Sequence, residues 1–372
     1  MNRLCLLLSF FFSVCWANAL LAFDINVFEK EADRQFIDDT ISAFMQKYAL
    51  PGLSIAIAKG DKFILAKGYG FANTDTRLAV TPAHQFRIAS LSKPITSVAI
   101  MKLVDEGKLS LDDKVFGAGG LLSIPYPASN KHVSDITVRH LLTHSAAPEW
   151  TNDGNGPMFL KAHLSKKALV EWVLENRKLK HAPGTQYAYS NFGYCILGLV
   201  IEKLTAMPYD KYVKQSLLLP AKARSFALAS DKRGGSPLEV SYYAHDGWSP
   251  YNLPVRRMDA HGGWIANAMD VVKFIQHTDA YPSPADLISA ESIKIMTRPS
   301  PLNNNYAMGW NVNQNNNWWH TGMLPGTAAI MVRTSHGFNW AVLTNKTSKD
   351  KDFYGELDGL TWKLLKGVKD SL

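Results

Sequence analysis

The chain predicts an α/β (α+β) fold: an antiparallel sheet built from both chain ends and flanked by N- and C-terminal helices, with a mostly helical subdomain inserted over roughly 94–275. Three observations carry this expectation. The element patterns run helix, strands, many helices, strands, helix, so strand-forming segments cluster towards the two ends. The run 94–104 is polar only at Thr96, Ser97 and Lys102, which marks a helix packed on nearly every face. The tail 353–372 places Phe353, Leu357, Leu360, Leu364 and Val368 on one stripe, the pattern of a terminal helix lying on a sheet, although a membrane surface would take the same stripe.

In chain order, the first helix covers 29–48, where Ile37, Ile41, Phe44, Met45 and Tyr48 share a face, and Leu50-Pro51-Gly52 ends it. Segments 53–58 and 62–71 read as two strands of a hairpin turning at Gly60-Asp61. A polar loop at 73–77 leads to an apolar approach, Phe86, Ile88 and Ala89, and then to Ser90-Leu91-Ser92-Lys93. The helix that follows opens at Pro94, whose missing N–H is not needed in a first turn, and stops at Gly107. Helical patterns recur at 138–144, 166–175, 194–204 and 268–277, with Gly/Pro/Asn-rich loops between them, chiefly 117–132, 152–158 and 234–251. Late strands are expected at 306–311, 317–320, 327–333 and 340–345.

Residues 1–22 are set apart as a secretory signal peptide. Arg3 precedes an apolar run from Leu4 to Trp16, and Ala17-Asn18-Ala19 offers a small-x-small cleavage site, with Leu20-Leu21-Ala22 as a second. The run is short for a bilayer span, so the mature protein is expected to be secreted or periplasmic with no integral membrane span; an uncleaved signal anchor is the alternative. The residues that remain are enough for a large core and, by length alone, for roughly two domains. Cys5 and Cys15 leave with the signal, and Cys195, alone in an apolar helical run, reads as an inert core residue. The formal net charge of +8 is spread among acids, with no basic block interleaved with aromatics, which argues against a nucleic-acid partner.

Ser90 and Lys93 share a helical face, so the Lys93 ammonium reaches the Ser90 hydroxyl. A lysine whose pKa burial has lowered can take the hydroxyl proton and turn a poor nucleophile into a useful one. Taken alone the spacing is weak. It recurs at Ser348 and Lys351 in a polar stretch, and a helix cap followed by a solvated lysine would look the same.

Two further triplets change the weighing. Tyr189-Ser190-Asn191 is the only Y-x-N in the chain, and His320-Thr321-Gly322 the only H-T-G. Ser-x-x-Lys, Tyr-x-Asn and a basic residue before Thr-Gly, in this order, resemble the three motifs of the serine β-lactamase and penicillin-binding-protein superfamily. The tyrosine of the second motif points to the class C-like branch, which includes D-alanyl-D-alanine carboxypeptidases, class C β-lactamases and carboxylesterases. Gly68-Tyr69-Gly70, the stretch from Ile136 to His144, Gly262-Gly263 and Tyr306-Ala307-Met308-Gly309-Trp310 are similar to that branch too, so the resemblance runs from about Glu29 to the C-terminus.

The resemblance implies that 29–372 is one catalytic domain with a β-lactamase/transpeptidase-like fold and an acyl-enzyme on Ser90, with Lys93 tuning its proton affinity. Tyr189, its phenol drawn down by Lys93, would shuttle the proton to the leaving group and activate the deacylating water. Asn191 would donate to the substrate's amide carbonyl and help to fix Lys93. The backbone N–H groups of Ser90 and Met323 would form the oxyanion hole, and Thr321, beside Gly322, would bind a substrate carboxylate. His320 stands where lysine is commoner, so carboxylate recognition through it should weaken as pH rises. Trp318 and Trp319 are read as packing residues rather than cleft walls.

No cofactor or metal is implied. His140 and His144 are four apart on a helix, but Leu141, Leu142 and Thr143 between them supply no acid, so core or capping roles fit better; His261 is a weaker candidate for a supporting role. The expected partner is a small-molecule or peptide acyl substrate: a D-alanyl peptide, a β-lactam or an ester, with cell-wall peptidoglycan as a source. Three functions stand side by side: a penicillin-binding carboxypeptidase-like or class C β-lactamase-like hydrolase, an esterase or amidase on another acyl group, and a non-catalytic envelope-binding protein. Intact Ser90, Lys93, Tyr189 and Asn191 weigh against the last.

Overall fold

The computed structural model of the protein describes residues 24–152, 156–244, 247 and 249–372. The expected signal segment 1–22 lies outside the described residues. The strands of the main sheet are β1 (Ile25–Asn26), β2 (Gly52–Lys59), β3 (Lys62–Asn73), β4 (Asn311–Val312), β5 (Trp318–Leu324), β6 (Thr327–Arg333) and β7 (Phe338–Thr344). They lie in the order β1-β3-β2-β7-β6-β5-β4, all antiparallel, with Leu78–Ala79 pairing with β3 off this path. The two chain ends meet where β2 pairs with β7, Ile55 opposite Val342. This is the sheet the sequence predicts.

The two faces of that sheet differ in side-chain size, because successive residues of a strand point to opposite sides. Ile55, Ile57, Leu65, Ile330, Val332, Trp340 and Val342 face one way and pack with Ile37, Ile41 and Phe44 of helix α1 (Glu31–Lys47). The C-terminal helix, α10 (Phe353–Gly367), adds Phe353, Leu357, Leu360 and Leu364 to the same cluster. The apolar stripe of the tail is therefore spent on the sheet. The opposite face carries Ala56, Ala58, Ala66, Ala329 and Ala341, whose small side chains let helices approach closely.

Against that second face lie the inserted helices. In chain order they are α2 (Ser92–Asp105), α3 (Val138–Leu142), α4 (Lys166–Asn176), α5 (Asn191–Thr205), α6 (Tyr209–Val213), α7 (Asp259–Gly262), α8 (Ala268–Gln276) and α9 (Ala290–Met296). The first of these is buried on nearly all sides, as its composition requires, and its polar residues are satisfied. Thr96 Oγ1 donates to the Ala260 carbonyl at 2.6 Å and Ser97 Oγ to the Met308 carbonyl at 2.7 Å. The helix ends where Gly107, at φ +66°, returns its N–H to Val104.

Several details depart from expectation. A second sheet of three short strands, Phe86–Arg87, Trp264–Ala266 and Ala227–Leu228, joins distant segments that carry too few residues each for a period to show. Helices α6 and α9 escape prediction for the same reason. The segment 306–311 is not a strand: only Asn311 enters the sheet, and the chain before it turns at Gly309, φ +83°. A Cβ at Gly309 would lie 2.9 Å from Ser97 Cβ and 3.2 Å from the Lys93 carbonyl oxygen, so the turn is pressed onto α2. The strand expected at 317–320 runs on to Leu324, which places His320 and Thr321 inside β5 rather than at its end. Trp318 packs under the Arg333 guanidinium at 4.1 Å, and Trp319 joins the cluster shared with the terminal helices, so both tryptophans serve packing.

Candidate active site

Ser90 sits in a single 3-10 turn, Ala89–Leu91, immediately before α2. Ala89 holds a positive φ of +49°, a conformation that non-glycine residues avoid and that a packed surrounding has to impose. That surrounding is β5: a Cβ on Gly322 would lie 2.3 Å from the Ile88 carbonyl oxygen and 3.2 Å from Ala89 Cβ. The glycine of His320-Thr321-Gly322 is thus what lets the strand touch the turn that carries Ser90.

Lys93 is fully buried, and its Nζ donates to Ser90 Oγ at 2.9 Å and to the His261 carbonyl at 2.9 Å. Burial holds its ammonium well below the ordinary lysine pKa. The carbonyl that steadies it belongs to α7, whose first residue, Asp259, is tied to Lys166 at 2.6 Å. His261, read from sequence as a weak candidate, acts on Lys93 through its backbone. Its buried ring is kept neutral by desolvation and by the neighbouring Lys93 charge.

The second motif is placed by the start of α5. Ser190 caps that helix, accepting from the Gly193 N–H at 3.2 Å while its hydroxyl donates to the Trp150 carbonyl at 2.7 Å. Tyr189, one residue earlier, turns towards Ser90; its ring centroid is 4.8 Å from Lys93 Nζ and its phenol interacts with the Ser90 hydroxyl. The expectation that Lys93 draws the phenol pKa down is corrected: burial raises it, and the Ser90 contact offsets this only in part. Asn191 is also corrected in one respect. Lys93 is fixed by Ser90 and the His261 carbonyl, not by Asn191, whose Oδ1 is buried and unpartnered among the described residues.

His320 departs furthest from expectation. It is buried at 3% exposure, and its pKa is pushed down to about 3 by desolvation and by Lys93, with the Thr321 carbonyl pulling the other way. A cation that fades as pH rises therefore does not occur here; the ring is neutral throughout the neutral range. Its Nδ1–H donates to the Thr321 carbonyl at 2.6 Å, and its Nε2 faces the Tyr306 hydroxyl at 3.4 Å. Tyr306 in turn lies 3.0 Å from His144 Nε2, and His144 Nδ1 accepts from the Ser190 N–H at 3.1 Å. His144 is thus the core histidine expected, but one that joins the second motif to the third. His140 takes the capping role: its Nδ1 accepts from the Thr137 N–H at 3.2 Å in a capping box at the start of α3.

Ser90, Tyr189, Asn191, His320, Thr321 and Met323 line one pocket of about 490 Å³. Asn152, Phe159, Tyr187, Tyr306, Asn311 and Tyr354 complete its wall; sequence reading did not single them out as pocket residues, since no spacing signals them. Met323 is 61% exposed in the pocket it shares with Ser90. Among the described residues no group of His, Cys, Asp and Glu is placed to hold a metal ion, and no helix is long and apolar enough to cross a membrane. Cys195 is buried in α5 with its thiol pushed up to about 12, as an inert core residue requires.

The β-lactamase family model matches residues 37–359. Among curated proteins, Protein flp of Staphylococcus aureus (strain NCTC 8325 / PS 47) is 28% identical over 332 residues, covering 85% of this chain and 64% of its own length. Penicillin-binding protein 4* of Bacillus subtilis (strain 168) is 28% identical over 351 residues, covering 85% of this chain and 73% of that protein. The chain therefore spans a little under two thirds of the first of these relatives. Among solved structures, the octameric penicillin-binding protein homologue from Pyrococcus abyssi superposes with a TM-score of 0.72 at 24% identity, over 89% of this chain and 78% of the other. The D-amino acid amidase from Ochrobactrum anthropi SV3 superposes with a TM-score of 0.75 at 19% identity, over 91% and 99%. These two likenesses establish the shared fold. The family match spans both the sheet and the helices that carry the pocket, and the chain belongs to the β-lactamase family.

Proposed function

We propose that this chain is a serine hydrolase working through an acyl-enzyme on Ser90. The observation that carries the reading is the 2.9 Å hydrogen bond between Ser90 Oγ and a fully buried Lys93, at the floor of an open pocket. A lysine whose pKa desolvation has lowered gives up its proton more readily, and the lone pair so released can take the proton of an otherwise unactivated hydroxyl.

In this mechanism Ser90 Oγ bonds to the substrate's carbonyl carbon as its proton passes to Lys93 Nζ. The oxygen of the tetrahedral intermediate is met by the backbone N–H groups of Ser90 and Met323, a donor pair of a kind worth roughly 3 kcal/mol for each member. When the carbonyl re-forms, the bond to the leaving group breaks and that group takes a proton from Lys93 by way of Tyr189. Water then attacks the acyl-enzyme, giving its proton back along the same path, and the acid product leaves with Ser90 restored. Tyr189 serves here as a neutral hydroxyl relay, in keeping with its raised pKa.

Two substrate readings follow. A D-alanyl-D-alanine carboxypeptidase-like or class C β-lactamase-like activity is supported by the motif order and by the penicillin-binding relatives. An esterase or amidase activity is favoured by the neutral state of His320. An exported location rests on the residues of segment 1–22 alone. The test is intact-mass spectrometry of the protein after addition of benzylpenicillin, with Ser90→Ala alongside. A lasting adduct absent from the variant supports the carboxypeptidase-like reading, and one that clears as penicilloate forms supports a β-lactamase. No adduct, with ester hydrolysis that Ser90→Ala abolishes, supports the second reading; no acylation of Ser90 by any of these probes refutes the proposal.

A further inference from the structure

Resting on the serine-hydrolase reading above, we infer that the hydrogen-bonded chain His144–Tyr306–His320 holds His320 as an uncharged acceptor, so that this site selects acyl donors with an uncharged leaving group over those whose leaving group bears a free carboxylate. The direction of that chain follows from its two ends. Backbone N–H groups only donate and carbonyls only accept. The Ser190 N–H donates to His144 Nδ1, so the ring proton of His144 is on Nε2 and is given to the Tyr306 oxygen at 3.0 Å. At the other end the Thr321 carbonyl must accept, so His320 carries its proton on Nδ1. The Tyr306 hydroxyl then faces two acceptors: the lone pair on His320 Nε2 at 3.4 Å, and the Tyr194 oxygen, whose own proton goes to the Leu142 carbonyl at 2.9 Å.

The surroundings of His320 agree. The titratable groups that face it are Lys93 on α2, His144 after α3, Tyr189 before α5, and Tyr306. None is a carboxylate, and Lys93 opposes a second positive charge. Along the pocket wall itself, the described residues contribute no Asp, Glu, Lys or Arg; they offer the amides of Asn152, Asn191 and Asn311 and the aromatic faces of Phe159, Tyr187 and Tyr354. Asn191 Oδ1, buried and unpartnered among the described residues, is suited to accept an N–H from a substrate, a contact that a carboxylate would be unable to make. A carboxylate brought into this pocket loses water and gains no fixed cation, whereas an ester or carboxamide loses far less.

The test compares two esters that differ only in the charge of the leaving group: the phenylacetylglycyl esters of 3-hydroxybenzamide and of 3-hydroxybenzoic acid. Wild-type kcat/KM is expected to favour the neutral ester by about tenfold or more, with a ratio that stays flat between about pH 5.5 and 8. His320→Lys, which adds a fixed cation, should lower the ratio by about tenfold. Tyr306→Phe keeps the ring and removes the hydroxyl, so its ratio should fall as pH drops towards about 5.5 while remaining near wild type at about pH 8. Equal or faster wild-type turnover of the anionic ester overturns the inference, as does a Tyr306→Phe ratio indifferent to pH; in both cases acylation of Ser90 by a fluorophosphonate leaves the serine-hydrolase reading intact. Failure of Ser90 to react with the fluorophosphonate, together with no turnover of either ester, overturns both.

Discussion

Replacing Gly322 by alanine tests how closely the site depends on one contact between strand and turn. The new Cβ would stand 2.3 Å from the Ile88 carbonyl oxygen, 3.1 Å from Leu91 Cδ1 and 3.2 Å from Ala89 Cβ. An ordinary carbon–oxygen contact needs about 3.3 Å, so β5 and the 88–91 turn must part by about 1 Å. Strand β5 has little freedom to yield, because Gly322 is paired with Ala329 of β6 in the middle of the sheet. The displacement therefore falls on the turn that carries Ser90, and it separates the Ser90 and Met323 backbone donors. Overpacking of this kind costs about 1–3 kcal/mol in stability, and a misplacement of about 1 Å at reacting groups costs about a hundredfold in rate. The assay is kcat/KM on an aryl ester together with the thermal midpoint, with Gly355→Ala as control. At Gly355, on α10, a Cβ would meet nothing within 4 Å, so that change should raise stability slightly through helix propensity and leave kcat/KM alone. A Gly322→Ala protein with wild-type midpoint and kcat/KM within about threefold of wild type would refute the reasoning.

Three further outcomes are expected. Lys93→Arg places a permanent charge in a fully buried site and removes the base of the proposed mechanism, so ester hydrolysis should fall by at least about a thousandfold, as kcat rather than KM, in stopped assays of the purified variant. His320 is neutral in the fold down to about pH 3, whereas in the unfolded chain it takes a proton below about pH 6.5. The unfolded state then binds more protons, so the stabilisation is complete above about pH 6.5 and is lost as pH falls, by about 2 kcal/mol at pH 5. Urea midpoints of wild type and His320→Gln at the two pH values should show the slope flattened in the variant, and parallel slopes would count against a neutral His320. Leu357→Ala, in the cluster on the far face of the sheet, should cost about 2–5 kcal/mol in urea unfolding while kcat/KM of the folded protein stays within about twofold of wild type.

Much of the architecture was legible before any coordinates. The stripe Phe353, Leu357, Leu360 and Leu364, the face of Ile37, Ile41 and Phe44, and the apolar run behind Ser90 are all long enough for a period to show, and each packs as its pattern requires. Short segments were not. The strand Trp264–Ala266 and the turn at Gly309 take their conformation from neighbours brought in by the fold, and neither holds a repeat long enough to read. Within the site, the order of Ser90, Tyr189 and His320 pointed to the residues that now share one pocket, because the chemistry of each motif needs its residue types at fixed spacing.

What the amino-acid sequence determined by itself was therefore the layered fold and the identity of the groups around Ser90. What the tertiary structure alone decided was their protonation. Lys93 is held by a carbonyl 168 residues away, and His320 is linked through Tyr306 to a histidine 162 residues before that tyrosine. The charge states of Lys93, Tyr189 and His320 are set by the loss of water around them and by which lone pairs face which protons. Desolvation belongs to the assembled surroundings and not to any segment, so a histidine that reads as a titrating cation in the chain becomes a neutral hydrogen-bond partner in the fold.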